Sequence, residues 1–250
     1  MIGFKRMALL AMGIAMLSTD GMAQTTRREY NDIINIHLTP GAPRRHNGCF
    51  TDMGSWMGFT LPEQAHPTTG FCGPYSIYYR HWYARTLVAL QGGTMQERSY
   101  CPGEVRMALT RDGATIQESL QFVDARTALL TIDNPSKRQL VFAADSVSRK
   151  MQLSVENGTV LIACHGGERV MLTFPEPVRV AKTGHNYVAT VPEGMAHLTA
   201  TISIVTQDTE ASVQQVHTAS LLANPEASLK ANEARWNGYL RKVIRPDMPA

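Results

Sequence analysis

The sequence has little charge of either sign. Asp, Glu, Lys and Arg make up 18% of its 250 residues, and the formal net charge is +3. Lysines and arginines are scattered, and no basic stripe alternates with aromatic residues. Nucleic-acid binding depends on clustered positive charge, so this composition disfavours a polyanionic partner. Hydrophobic residues at 44% are ordinary for a globular protein, so we expect disorder only at the termini.

Common catalytic and metal-binding motifs are missing. The chain has no G-x-S-x-G elbow, no H-E-x-x-H and no C-x-x-C pair, and its eight histidines stand singly. The sequence therefore predicts no serine or cysteine hydrolase, no zinc site with closely spaced ligands and no bound cofactor. The four cysteines are Cys49, Cys72, Cys101 and Cys164. They are either small buried residues with free thiols or members of one or two disulfides, and four cysteines allow three ways of pairing.

No apolar run is long enough for a membrane span of roughly 20 residues. An apolar run of about 11 residues, 7–17, follows Lys5 and Arg6 and precedes a small-residue exit at 21–23. This pattern predicts a signal peptide over residues 1–23, with periplasmic or secreted localisation and no membrane attachment after cleavage. Removal of Lys5, Arg6 and Asp20 would lower the formal charge from +3 to about +2.

The middle of the chain alternates polar and apolar residues with period two from Tyr75 onward. Asp112-Gly113 and Asn157-Gly158 lie between such runs and predict tight hairpins. The turn residues 134–137 predict another hairpin in the same way. Because no helical segments intervene, the pattern indicates a mainly β fold, an antiparallel super-β-sandwich, rather than a doubly wound α/β fold.

Helical spacing replaces this pattern near Thr209, and Asn224 with Pro225 offers a cap and a first-turn proline for a second helix. We expect a β domain over residues 24–222 and a linker helix over 223–250. Helical spacing places Arg235, Trp236 and Tyr239 close together, which predicts a docking helix.

The segment 50–62, FTDMGSWMGFTLP, is the most distinctive loop. Trp56 in this loop either plugs the core, as the average burial of tryptophan favours, or faces a sugar. The other residues that single the loop out are Asp52, Gly54 and Gly58.

This loop resembles the F-x-D-x-G-x-W-H-G-x-x-L-P pattern of bacterial glucosidases of glycoside hydrolase family 63, with Met57 in place of the usual His. Residues 70–73, GFCG, are similar to the family's G-F-x-G step. Asn224-Pro225 and the segment 235–240, RWNGYL, resemble its linker into the catalytic domain.

The resemblance implies an N-terminal sandwich that packs against an (α/α)6 barrel carrying the catalytic acid and base. We expect this chain to lack that barrel, as a split partner or a truncated product, and to be inactive alone. Asp52 and Glu63 are the acids near the loop, but neither position supplies the family's catalytic pair, so no catalytic residue is predicted. Asp52, Gly54, Trp56 and Gly58 are candidates for a loop that faces the barrel or a sugar.

Two other functions remain open. A free-standing carbohydrate-binding module would use Trp56, Tyr75, Tyr78 and Tyr79 as a stacking platform for an oligosaccharide. A sugar-active sandwich enzyme such as a mutarotase would require a His and a Glu that converge in one cleft.

Overall fold

The predicted mainly β fold is confirmed. A computed structural model describes residues 36–41, 48–164, 167–206 and 208–242, and the predicted signal peptide lies outside them. In this part of the chain, fifteen strands form two sheets and two helices follow. In chain order the elements are β1 (Met57–Thr60), β2 (Cys72–Ser76), β3 (His81–Trp82), β4 (Ala84–Leu90), β5 (Thr94–Cys101), β6 (Glu104–Arg111), β7 (Ala114–Phe122), β8 (Thr127–Asp133), β9 (Leu140–Val147), β10 (Gln152–Glu156), β11 (Thr159–Ala163), β12 (Arg169–Thr173), β13 (Arg179–Thr183), β14 (Asn186–Val191), β15 (His197–Val205), α1 (Asp208–Ala223) and α2 (Pro225–Lys242).

The two sheets pack face to face around one apolar core. The first has the order β1-β2-β4-β9-β14-β13 with β3 on β2, and the second has the order β10-β11-β12-β15-β8-β7-β6-β5. Both sheets are antiparallel apart from the β2 and β4 pairing, which is parallel. Inward-facing residues alternate along β6, where Val105, Met107 and Leu109 are at most 1% exposed. The period-two pattern of the sequence therefore reflects one buried face per strand.

Two of the predicted hairpins form at their expected turns. Asp112 and Gly113 have φ of 51° and 76° and connect β6 to β7. Asn157 and Gly158 have φ of 48° and 76° and connect β10 to β11. Positive φ at both central positions is what a two-residue hairpin of this kind requires, so local residue choice decides the structure here.

The predicted hairpin at residues 134–137 is wrong, because β8 and β9 belong to different sheets. Asn134 is buried, and its side-chain amide donates to the carbonyl oxygens of Arg138 at 2.8 Å and Met195 at 3.1 Å. The side-chain amide of Asn134 therefore stabilises the connection in which the chain crosses from β8 in the second sheet to β9 in the first. Turn-forming residues favour a reversal of the chain but do not determine which sheet receives the next strand.

The two C-terminal helices pack on the second sheet. The second helix begins at Pro225, as predicted. On α1, the buried Gln214 donates to Thr127 Oγ1 at 2.9 Å and to Ser203 Oγ at 3.1 Å. Val213 and Val216 are 71% and 73% exposed, so the buried side of α1 is polar at its centre. In the described part of the chain, neither helix carries an apolar stretch of the length that a bilayer requires.

Candidate functional site

The distinctive loop turns sharply just before β1. Met53 and Gly54 have φ of 58° and 66°, and the Ser55 N–H donates to the Asp52 carbonyl at 3.0 Å. The Trp56 N–H donates to the Ala125 carbonyl at 2.9 Å, which ties the loop to the connection between β7 and β8. The loop is therefore held by backbone contacts, and its side chains have defined directions.

Asp52 joins this loop to α2. Its Oδ1 accepts from the Met53 N–H at 2.7 Å and from Arg235 Nη1 at 3.2 Å. Its Oδ2 accepts from Trp236 Nε1 at 2.9 Å and also from Arg235 Nη2. The Asp52 side chain is only 8% exposed. Because four donors occupy the two oxygens, this carboxylate acts as a structural anchor between loop and helix.

The predicted docking helix is anchored on the sandwich of its own chain. The Trp236 ring lies against Gly103 in the turn between β5 and β6, where a Cβ would overlap the indole. The buried Asn232 donates to the Gly103 carbonyl at 3.1 Å and to Gln121 Oε1 at 2.7 Å. Tyr239 remains 52% exposed. Arg235 and Trp236 thus face inward, and Tyr239 alone of the three predicted residues is mainly exposed.

Met57 and Gly58 lie in the interior rather than on a ligand-facing surface. Met57 is 0% exposed, so an apolar side chain suits the position where the resembled pattern has His. Gly58 lies against the Cys49 side chain, which leaves no room for a Cβ. Both residues therefore serve packing.

An open groove of about 890 Å³ lies beside the loop. Trp56 is 38% exposed at this groove, and the Arg126 guanidinium lies 4.5 Å from the centre of its ring. Tyr78 and Tyr79 are 76% and 41% exposed, with their rings edge to face at 4.9 Å. The groove is lined by Gly54, Ser55, Trp56, Ile77, Tyr78, Tyr79, Arg80 and Thr206.

Backbone contacts position the second wall of this groove. The Ile77 N–H donates to the Trp56 carbonyl at 2.9 Å, and the Arg80 N–H donates to the Ser76 carbonyl at 2.9 Å. Tyr75 packs on Trp82 at 5.0 Å and does not line the groove. Ile77 and Arg80 also line the groove but were not among the predicted residues, although they belong to or adjoin the aromatic run 75–79.

The remaining candidate is a His and Glu pair. His81 Nε2 lies 4.0 Å from Glu168 Oε1, but the Glu168 side chain is 0% exposed and neither residue lines the groove beside Trp56. Burial lowers the pKa of His81, and the nearby Glu168 carboxylate partly opposes this. Glu168 is buried and His81 is half-buried, which does not match the open sugar cleft that a mutarotase requires.

The cysteines are four free thiols. Burial raises the pKa values of Cys49 and Cys72, which disfavours their thiolate forms. The sequence predicts a β-turn at residues 164–167, and its two central residues lie outside the described part of the chain.

No family model and no curated protein matches the chain. Among solved structures, two of heparan sulfate lyase HepC from Pedobacter heparinus, one of them a mutant, share 10% identity with it at a TM-score of 0.36. Each match covers 60% of this chain and 32% of the lyase. The heparinase III BT4657 gene product shares 14% identity at a TM-score of 0.34, over 50% of this chain and 24% of its own. The chain thus spans about a third or less of these lyases, and such distant similarity does not identify its activity.

Proposed function

We propose that this chain is the non-catalytic β-sandwich module of a family 63-like α-glucosidase, exported to the periplasm or secreted, and that it packs against a helical-barrel catalytic domain. The contact of Asp52 with Arg235 and Trp236 is the observation that carries this proposal. It joins the loop and the linker helix, the two segments that resemble the family, across 183 residues of sequence. Because the two segments contact each other, they belong to one structural unit, which supports their assignment to one module.

The groove beside Trp56 is the surface that we assign to the barrel. Four of the eight exposed large hydrophobic side chains in the described residues line it: Trp56, Ile77, Tyr78 and Tyr79. Contiguous exposed apolar surface is typical of a protein interface. The other candidate surface, around Asp52, is already filled by α2 of the same chain.

The test is complex formation with a separately produced helical-barrel domain of a family 63 α-glucosidase, followed by sedimentation and calorimetry. We expect a one-to-one complex that is weakened at least about tenfold by Trp56→Ala or Tyr78→Ala, as is usual for interface aromatic residues. Lys182→Ala is the matched control, because Lys182 is exposed on β13, at the opposite edge of the first sheet. An absence of binding, or equal loss in the Lys182 variant, would contradict the proposal.

A second candidate function is oligosaccharide binding. Trp56, Tyr78 and Tyr79 present exposed rings in one groove that Arg80 also lines, a combination of flat and polar groups that suits sugar rings. Titration with α-gluco-oligosaccharides tests it. Saturable binding that is lost in Trp56→Ala but kept in Tyr239→Ala would favour this function, since Tyr239 is exposed outside the groove. If titration of the unaltered chain with these oligosaccharides gives no heat of binding, this function is excluded.

A further inference from the structure

Three potential metal ligands meet between the sheets, at a place that the proposed function does not use. They are His81 on β3, Cys164 after β11 and Glu168 before β12. One ligand atom from each lies within 4.8 Å of the others. The Cys164 N–H donates to the Glu168 carbonyl at 3.1 Å, which holds these two residues next to each other.

Two buried polar atoms in this cluster have no hydrogen-bond partner: His81 Nε2 and Glu168 Oε2. The Glu168 side chain is 0% exposed. Its other oxygen, Oε1, accepts from the Tyr83 hydroxyl at 2.6 Å. Burial of an unpaired polar atom costs free energy, so two such atoms in one cluster indicate a ligand that satisfies both.

We propose that His81, Cys164 and Glu168 bind a Zn²⁺ ion. Thiolate sulfur and imidazole nitrogen favour zinc over the hard cations magnesium and calcium. A thiolate, a carboxylate and a neutral imidazole supply two negative charges, which balance the ion. Three protein ligands leave a fourth tetrahedral position for water.

The geometry is close to that of a zinc site. With ligand bonds of about 2.0 to 2.3 Å, tetrahedral ligand atoms lie roughly 3.3 to 3.7 Å apart, so the widest pair must approach by about 1 Å. The His81 side chain is 28% exposed and can rotate toward the sulfur. The Tyr83 hydroxyl donates to Glu168 Oε1 and lies 3.9 Å from Cys164 Sγ, while Glu168 Oε2 has no hydrogen-bond partner and is available to an ion. Such contacts to ligands orient them and strengthen binding.

The fold explains why ligand spacing in the sequence did not predict this site. His81 comes from the first sheet, whereas Cys164 and Glu168 come from the second. An ion at this place bridges the two layers, and because it binds only the folded chain it stabilises the fold by mass action.

The experiment is a cobalt titration of the purified chain, stripped of metal by a chelator and kept reduced without added thiol. We expect one equivalent of Co²⁺ to produce a sulfur-to-cobalt charge-transfer band and tetrahedral d–d bands, which one equivalent of Zn²⁺ removes. Cys164→Ser should abolish the charge-transfer band, and both Cys164→Ser and Glu168→Gln should weaken Zn²⁺ binding at least about 100-fold. Cys49→Ser is the matched control, a half-buried thiol outside the cluster, and should keep the band.

Two results would overturn the proposal: no saturable cobalt spectrum in the unaltered chain, or a spectrum that survives Cys164→Ser. The unaltered chain also provides a test that does not depend on the folding of any variant. Elemental analysis after dialysis against Zn²⁺ should find about one ion per chain, and zinc should raise the melting temperature. A metal content near zero contradicts the assignment.

Discussion

Asp52 shows how one residue can serve both as a signature in sequence and as an anchor in structure. As an acid in a loop with glycines and a tryptophan, it suggested a surface that faces a ligand. Its two oxygens instead accept from a backbone N–H, from both ends of the Arg235 guanidinium and from the Trp236 indole. The resemblance selected this residue, but the structure shows that it fastens α2 to the loop.

Replacement of Asp52 by Asn should therefore destabilise the chain. The substitution leaves Arg235, whose side chain is 22% exposed, without its counter-charge, and we expect a loss of about 3 kcal/mol in the free energy of unfolding. Urea denaturation measures this directly.

The matched control for Asp52→Asn is Asp145→Asn. That residue pairs with Arg85 at 3.5 Å, but both side chains are about 40% exposed. Surface ion pairs contribute less than about 1 kcal/mol, so the control should change stability little. Equal losses in the two variants would refute the anchoring role of Asp52.

Gly103, in the turn between β5 and β6, also contacts α2. A Cβ at this position would overlap the Trp236 ring, and its φ of 84° is unfavourable for any other residue. Gly113 is the control that separates backbone strain from steric overlap, because its φ is also positive, at 76°, but nothing lies within 4 Å of an added Cβ. We expect Gly113→Ala to cost about 1 kcal/mol and Gly103→Ala about 3 kcal/mol. Trp236 fluorescence should shift only in the Gly103 variant, and a shift in both would contradict this explanation.

At the level of strands and helices, local chemistry determines some features and long-range packing determines others. The Asn157-Gly158 hairpin was predictable because both positions adopt positive φ, a purely local property. The turn at 134–137 was not, because its residues suit a crossover as well as a hairpin. Helical spacing near Thr209 predicted α1, but the buried side of this helix uses Gln214, whereas Val213 and Val216 are exposed. Neither sheet membership nor the buried side of a helix follows from local pattern alone.

Strand β7 contains a carboxyl group inside the core. Glu118 is 2% exposed, and neither of its oxygens has a hydrogen-bond partner. Burial raises the pKa of Glu118 to about 8, from an ordinary value of 4.5. Between these values the folded chain keeps a proton that the unfolded chain loses, so stability falls as pH rises from about 4.5 to 8 and then levels off.

Replacement of Glu118 by Gln should remove this dependence. We expect the free energy of unfolding of the variant to exceed that of the unaltered chain by a few kcal/mol at about pH 8. Below about pH 4 this pH-dependent advantage should be absent, because Glu118 is then protonated in both the folded and the unfolded chain. Urea denaturation across this range measures the difference. Glu97→Gln, at an exposed position on β5, is the control and should leave the slope unchanged. A constant difference between Glu118→Gln and the unaltered chain at all pH values would contradict the buried carboxyl.

At the scale of the whole molecule, alternation and turn residues predicted the mainly β class, and the resemblance selected the loop and the helix. Their mutual contact was not predictable, since it joins residues 183 positions apart. The groove was only partly predictable: Trp56 and three tyrosines were candidates, but one of these, Tyr75, packs on Trp82 and does not line the groove. The cluster of His81, Cys164 and Glu168 depends on the packing of one sheet on the other. Residue types suggest function, whereas tertiary packing decides which of them meet.

The most direct test of the central claim is a reconstitution assay for hydrolysis of an α-glucosidic disaccharide. The chain alone, a separately produced family 63 barrel domain alone and their mixture are compared, with Trp56→Ala in place of the unaltered chain in a further mixture. We predict no turnover by the chain alone, and barrel activity that rises with added chain to a plateau near one equivalent but not with the variant. Turnover by the chain alone, in proportion to its concentration, would contradict the account.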